Sequence, residues 1–135
     1  LRWVAAVPDF ELSTHLARGV LPREVPFADA VYNASHAAVL VGALGSGDRE
    51  LIAMALRDRL HQPYRESLIP EYGRVKEAAE RCGAIAFCIS GAGPTLLALT
   101  DERDFAARFA KACVSFEHHW RVMELAVDTE GITAE

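Results

Sequence analysis

The side chains in this sequence best suited to chemistry are a glycine-rich bend and two arginines. The bend is Ser90-Gly91-Ala92-Gly93-Pro94, set between apolar runs at 84–89 and 95–99. Gly91 and Gly93 can adopt positive φ and let a second backbone or a ligand come close. Ser90 adds a hydroxyl, and the free N–H groups of such a bend can form a concavity that binds anions. Pro94 removes one donor and stiffens the exit. A hairpin that needs glycine for geometry alone would have the same composition. Arg18 follows a capped turn, one short helix after the first apolar run. Arg65 follows Pro63-Tyr64 in a segment without periodicity, where prolines would give a guanidinium a rigid mount. An arginine in either place can clamp a carboxylate with two parallel hydrogen bonds. Taken singly, each also reads as a solvated surface arginine. Their company in one chain with the glycine bend favours binding.

Other chemistries find less support. There is no nucleophile–base constellation, no metal-ligand spacing and no phosphate loop of the Walker kind. His118-His119 are adjacent, so in a strand they would point to opposite faces and make a poor metal pair. His15 and His36 are isolated. Cys82, Cys88 and Cys113 lack C-x-x-C spacing, and an odd count without a framework suggests a reducing cytoplasm. The net charge is −5 and the basic residues are scattered, so a basic face for nucleic acid is absent. The longest apolar stretch, near 37–44, is too short to span a bilayer. With 135 residues, 51% of them hydrophobic, the chain suits one domain with a real core.

The elements that would position these residues follow from periodicity. Residues 2–7 read as a buried strand, ended by Pro8-Asp9, with Ser13 or Thr14 capping a short helix that stops near Gly19. Pro26 opens a helix to about residue 44, rich in alanine and valine around most of its circumference and so expected to be largely buried. Asp48 caps the next helix. Residues 57–70 form a polar, aromatic connection with two prolines. Pro70 then opens a helix with the stripe Tyr72, Val75, Ala78, Ala79 and Cys82. The two strands around the bend come next, then a helix over 104–117, a strand over 120–127 and a loose tail over 128–135. The order β-α-(α-α-α)-β-β-α-β is the split pattern of a ferredoxin-like α+β fold with extra helices after the first strand. It predicts a four-stranded antiparallel sheet with helices on one face.

The stretch Ile89-Ser90-Gly91-Ala92-Gly93-Pro94-Thr95 resembles the third signature motif of the GHMP small-molecule kinases, usually S-G-S-G-P-T. Ala92 stands where serine is common, which removes one hydroxyl. The resemblance sharpens when three segments are taken together. They are Val7-Pro8-Asp9-Phe10-Glu11-Leu12-Ser13-Thr14 with Ala17-Arg18, then Asp58-Arg59-Leu60-His61-Gln62-Pro63-Tyr64-Arg65 with Leu68-Ile69-Pro70, then the glycine motif. In order and spacing they are similar to the C-terminal half of bacterial homoserine kinases, over residues 3–100. That resemblance implies a domain in which Arg18, Arg65 and Gly91 bind substrate, the two arginines holding the carboxylate of L-homoserine. It implies that Ser90, Gly91, Ala92 and Gly93 line the pocket beside the phosphates. The family's phosphate loop, P-x-x-x-G-L-G-S-S-A, and its Mg²⁺-holding acids belong to an N-terminal half not found here. ATP and Mg²⁺ would then be held mainly by that half, leaving no catalytic residue in residues 1–135.

On this reading residues 1–135 are a single substrate-side domain cut from a longer cytoplasmic kinase of threonine biosynthesis. The apolar strand at the very start of the chain favours a cut of that kind. The partners expected are L-homoserine, ATP and the N-terminal domain of the same chain, with a homodimer as a further possibility and neither nucleic acid nor membrane. By itself the domain should not turn over ATP. Two other readings stay open: a kinase of the same superfamily acting on another carboxylate-bearing alcohol, and a non-catalytic ferredoxin-like module that binds small molecules.

Overall fold

The computed structural model describes residues 1–132. Arg2–Pro8 forms β1, apolar on both sides, with Val4, Ala5 and Ala6 all buried. A strand with two apolar faces needs cover on both sides of its sheet. Ala86–Ile89 forms β2, Leu96–Thr100 forms β3 and Trp120–Leu125 forms β4. All neighbours run antiparallel in the order β2-β3-β1-β4. This is the α+β split arrangement expected from the sequence, with β1 and β3 at the centre and β2 and β4 at the edges.

Register sorts the side chains by face. Val4 lies opposite Ala98 and Ala6 opposite Leu96 on one side. Against them pack α5 (Tyr72–Arg81), through Val75, Ala78 and Ala79, and α6 (Phe105–Cys113), through Phe105 and Phe109. Both phenylalanines are fully buried. Trp3, Leu99 and Ala86 belong to the other face, where Ala43, Ile52 and Leu56 form a second, smaller cluster. That cover comes from α2 (Phe27–Ser46) and α3 (Arg49–Ala55). The extra helices therefore do not join the others on one face. They close the sheet from behind, which the apolar alternate residues of β1 require.

The expectation that α2 is largely buried is not met. Ala43 is its one buried residue, and Phe27, Val31, Val41 and Leu44 are exposed. Its apolar circumference is real, but the sheet takes up only the C-terminal end of one side. Smaller differences lie at the boundaries. Pro26 sits at the cap position of α2, and α5 begins two residues beyond Pro70, after Glu71 in the left-handed region at φ 61°. α6 stops at Cys113, so His118 and His119 precede β4 in a turn. α1 (Thr14–Gly19) has Ser13 at its cap position without a side-chain bond, whereas Asp48 does accept from the Leu51 N–H at 3.0 Å. The connection 57–70 contains a four-residue helix, α4 (Gln62–Arg65), and a 3₁₀ turn (Glu66–Leu68). Residues 126–132 hold no strand or helix, and 133–135 of the expected tail lie outside the described residues.

Candidate functional site

The glycine bend is the connection between β2 and β3. The Ser90 N–H donates to the Thr95 carbonyl at 2.9 Å, and the Gly93 N–H turns back onto the Ser90 carbonyl at 2.9 Å. Gly91 and Gly93 take φ of 57° and 86°, the region that favours glycine. Their surroundings differ. A side chain on Gly93 would meet Ile69, Ile89 and Leu12, the nearest atom at 3.1 Å, whereas one on Gly91 would enter open space.

Arg65 ties this bend to two other segments. Its Nε donates to the Ala17 carbonyl at 3.0 Å, and its Nη1 to the Gly91 carbonyl at 2.9 Å and towards His61 Nδ1 at 3.3 Å. A guanidinium has five N–H donors in a fixed fork. The two on Nη2 have no protein partner among the described residues, and the Nη1 contact to His61 is long enough to yield. That leaves Nη2 of a half-buried cation as a donor for an incoming carboxylate. Arg18 follows Ala17 directly and stays exposed on α1. The structure thus brings Arg65, Gly91 and the α1 turn that carries Arg18 together. Ser90, Ala92 and Gly93 are half-buried within the bend.

The mount of Arg65 was missed in the sequence. Asp58 accepts the His61 N–H at 2.7 Å and the Gln62 N–H at 2.6 Å, capping α4, while Asn33 of α2 donates to its other oxygen. Burial works to raise the Asp58 carboxyl, but those two backbone N–H groups, the Asn33 amide and nearby His61 outweigh it and hold it below its ordinary value of 3.8. Gln62 Oε1 accepts the Ile89 N–H at 2.8 Å, a donor of the edge strand that points away from β3. The helix carrying Arg65 is therefore pinned to the strand that feeds the bend. The sequence held part of a signal, since Pro63 in the first turn favours a helix start, but the cap position is His61, whose side chain makes no capping bond. Behind this network lies a cavity of about 220 Å³ lined by Asn33, Asp58, His61, Gln62, Cys88 and Ile89 among others. Burial pushes the Cys88 thiol up to about 11, so it stays protonated and unreactive at neutral pH.

Two expected outcomes follow from this mount. Gln62→Leu strands the Ile89 N–H and should cost about 1–2 kcal/mol, the penalty for a donor left unpaired. Gln62→Glu keeps an acceptor and should recover most of it. Urea midpoints and hydrogen exchange at the Ile89 amide read both, and unchanged exchange in the leucine variant would disprove the pin. The second concerns acid. A carboxyl held low when folded stabilises the fold above its unfolded value of about 3.8 and loses that contribution as pH falls through the folded value. Wild-type stability should therefore drop as the pH goes below about 4, and Asp58→Asn should flatten part of that slope while lowering stability at pH 7. A parallel pH profile in the variant would show that the cap contributes nothing.

Residues 40–117, which hold α4, Arg65 and the bend, match the family model described as GHMP kinases C terminal. The chain belongs to this family. It is 47% identical over 131 residues to a homoserine kinase of Nostoc punctiforme, covering 95% of this chain and 43% of that protein. It is 58% identical over 97 residues to one of Gloeobacter violaceus, covering 72% of this chain and 32% of that one. Among solved structures, a homoserine kinase from Cytophaga hutchinsonii superposes with a TM-score of 0.85 at 28% identity, over 93% of this chain and 41% of that one. The chain thus spans about two fifths of the length of the Nostoc relative. Among the described residues of this GHMP kinase domain, no three His, Cys, Asp or Glu side chains gather as metal ligands. No helix there is long and apolar enough to cross a membrane.

Proposed function

We propose that this chain is the substrate-side domain of an ATP-dependent, cytoplasmic homoserine kinase, which phosphorylates the side-chain hydroxyl of L-homoserine on the route to threonine. The observation that carries the reading is Arg65, fixed by the Ala17 and Gly91 carbonyls with no protein partner for Nη2 among the described residues. The names of the relatives supply the substrate.

In this mechanism the domain binds and orients. Arg65 takes the homoserine carboxylate through Nη2 and the Nη1 hydrogen that His61 holds weakly. Arg18 adds positive charge from the adjoining turn. Gly91, without a side chain, leaves room for the amino acid, and Ser90 to Gly93 border the phosphates. Holding the acceptor still is much of what phosphoryl transfer needs from a protein, because its transition state is stabilised by position and charge. ATP is bound by a further, N-terminal part. Mg²⁺, which offsets the phosphate charge there, finds no ready set of ligands among the residues described here. Nothing in these residues' role runs through it.

The test replaces the matched region of the Nostoc punctiforme enzyme with this chain. A chimera that melts cooperatively should form ADP with L-homoserine and not with mevalonate. Turnover with mevalonate alone, or none with homoserine, would overturn the proposal. This chain by itself should turn over no ATP with homoserine.

A further inference from the structure

The His61 ring stands between the two charges of the mount. Its Nδ1 lies 3.3 Å from Arg65 Nη1, and its Nε2 lies 3.7 Å from Asp58 Oδ1. A guanidinium only donates. The Nδ1 that faces it therefore carries no proton, and the ring is the neutral tautomer with its hydrogen on Nε2, towards the Asp58 carboxylate. That carboxylate is fixed, because Oδ2 accepts the N–H groups of His61 and Gln62 while Asn33 donates to Oδ1. The Asp58 side chain is 8% exposed and the His61 side chain 34%, so the ring meets solvent and the acid behind it does not.

A carboxylate that takes the Nη1 hydrogen now facing His61 must bring an oxygen to about 3 Å from Nη1, on the side where Nδ1 stands. The bare Nδ1 would then face that oxygen, two acceptors with no hydrogen between them. A proton on Nδ1 turns the clash into a charge-assisted hydrogen bond. Imidazole is the side chain suited to gain a proton near neutral pH. The other titratable or charged groups around the ring are His36 of α2, Arg57 beyond α3 and Cys88 of β2, which line the same cavity. Arg57 keeps its charge at all relevant pH, and the Cys88 thiol, at about 11, stays neutral. His36 Nδ1 is engaged by the Tyr32 carbonyl at 2.7 Å. Of the two histidines, His61 is the one that touches Arg65.

We propose that His61 is a further binding residue for the substrate carboxylate, and that binding takes up a proton on its Nδ1. The proton comes from solvent. Nε2 keeps its hydrogen towards Asp58, and Arg65 keeps all of its own. The ring thus passes from acceptor for Arg65 to donor for the ligand, and it returns its proton to solvent when the ligand leaves. The inference rests on the proposed function in placing a carboxylate at Arg65. An anion whose binding adds a proton binds more tightly in mild acid, by linkage.

Titration calorimetry of L-homoserine into the Nostoc chimera tests this in two buffers of different ionisation enthalpy, phosphate and imidazole. The heats should differ between buffers by an uptake of up to one proton. Kd should fall roughly five- to tenfold between about pH 8 and about pH 6, within the tenfold per pH unit that one proton permits. His61→Asn offers Arg65 an amide oxygen in place of Nδ1 and takes no proton, so both the uptake and the pH dependence should vanish. Where that variant fails to fold, the unsubstituted chimera decides by itself. Homoserine binding with heats that do not depend on the buffer would overturn the proposal and leave the carboxylate site on Arg65 standing. Uptake that persists in a folded His61→Asn variant would also overturn it, by placing the proton elsewhere. A folded chimera that binds no homoserine would sink the proposed function and this inference with it.

Discussion

Arg65→Lys in the chimeric enzyme should raise KM for L-homoserine roughly 10- to 100-fold and lower kcat less. Lysine keeps the charge but replaces a planar fork by a single ammonium on a flexible stem. In the wild type one guanidinium serves two ends. Nε and Nη1 hold the Ala17 and Gly91 carbonyls at 3.0 and 2.9 Å, and Nη2 stays free for the ligand. An ammonium cannot span both carbonyls and still present a donor outward. Losing a charged hydrogen bond to the carboxylate costs about 1.5–3 kcal/mol, which is the stated rise in KM. The same change loosens the clasp between α1 and the bend, so the melting temperature should fall as well. The two losses are separable. A lower melting temperature with unchanged KM would make Arg65 a structural clasp only and remove the main support for a carboxylate site. A higher KM with unchanged melting would place the clasp elsewhere.

The order of strands and the two main helices were legible because each buries a clean periodic face. The stripe Val75, Ala78, Ala79 lies where a 3.6-residue repeat puts it, and β1 declares two covered faces by being apolar at successive positions. The face on which α2 and α3 pack was not legible. Periodicity tells which side of a helix is apolar, not which surface meets it, and α2 is apolar nearly all round. The candidate site divides in the same way. Arg65 and Gly91 stood out by residue type, an arginine behind a proline and glycines beside a hydroxyl. Asp58, Gln62 and His61 did not, since they act through backbone N–H groups and through Arg65, and such partners are fixed only when the fold brings 58–65 against 89–91. Pro63 in the first turn was the local sign of α4. No local pattern announces that Gln62 reaches Ile89 across 27 positions.

The glycines of the bend should part company when each is replaced by valine. Both need positive φ, so both variants carry backbone strain of about 1–2 kcal/mol. Gly93→Val adds overpacking, because its first carbon would stand 3.1 Å from Ile69 Cδ1, 3.4 Å from Ile89 Cγ2 and 3.5 Å from Leu12 Cδ2. Two branches beyond that carbon have nowhere to go between β2 and the segments that border the bend. Overfilling of this kind costs about 1–3 kcal/mol more, for about 2–5 kcal/mol in all. Gly93→Val should therefore act mainly on stability, seen as a large fall in the urea midpoint. Gly91→Val meets no protein atom within 4 Å, so its stability loss should stay near the strain alone. Its side chain would instead enter the open space at the residue whose carbonyl holds Arg65, and kcat/KM for homoserine should fall at least tenfold beyond anything the lost stability explains. Ala92→Ser, which changes little volume and no backbone angle, should stay within a few-fold of wild type. If Gly91→Val keeps full kcat/KM while only melting earlier, the space beside Gly91 holds no substrate, and the site must be sought on another side of Arg65.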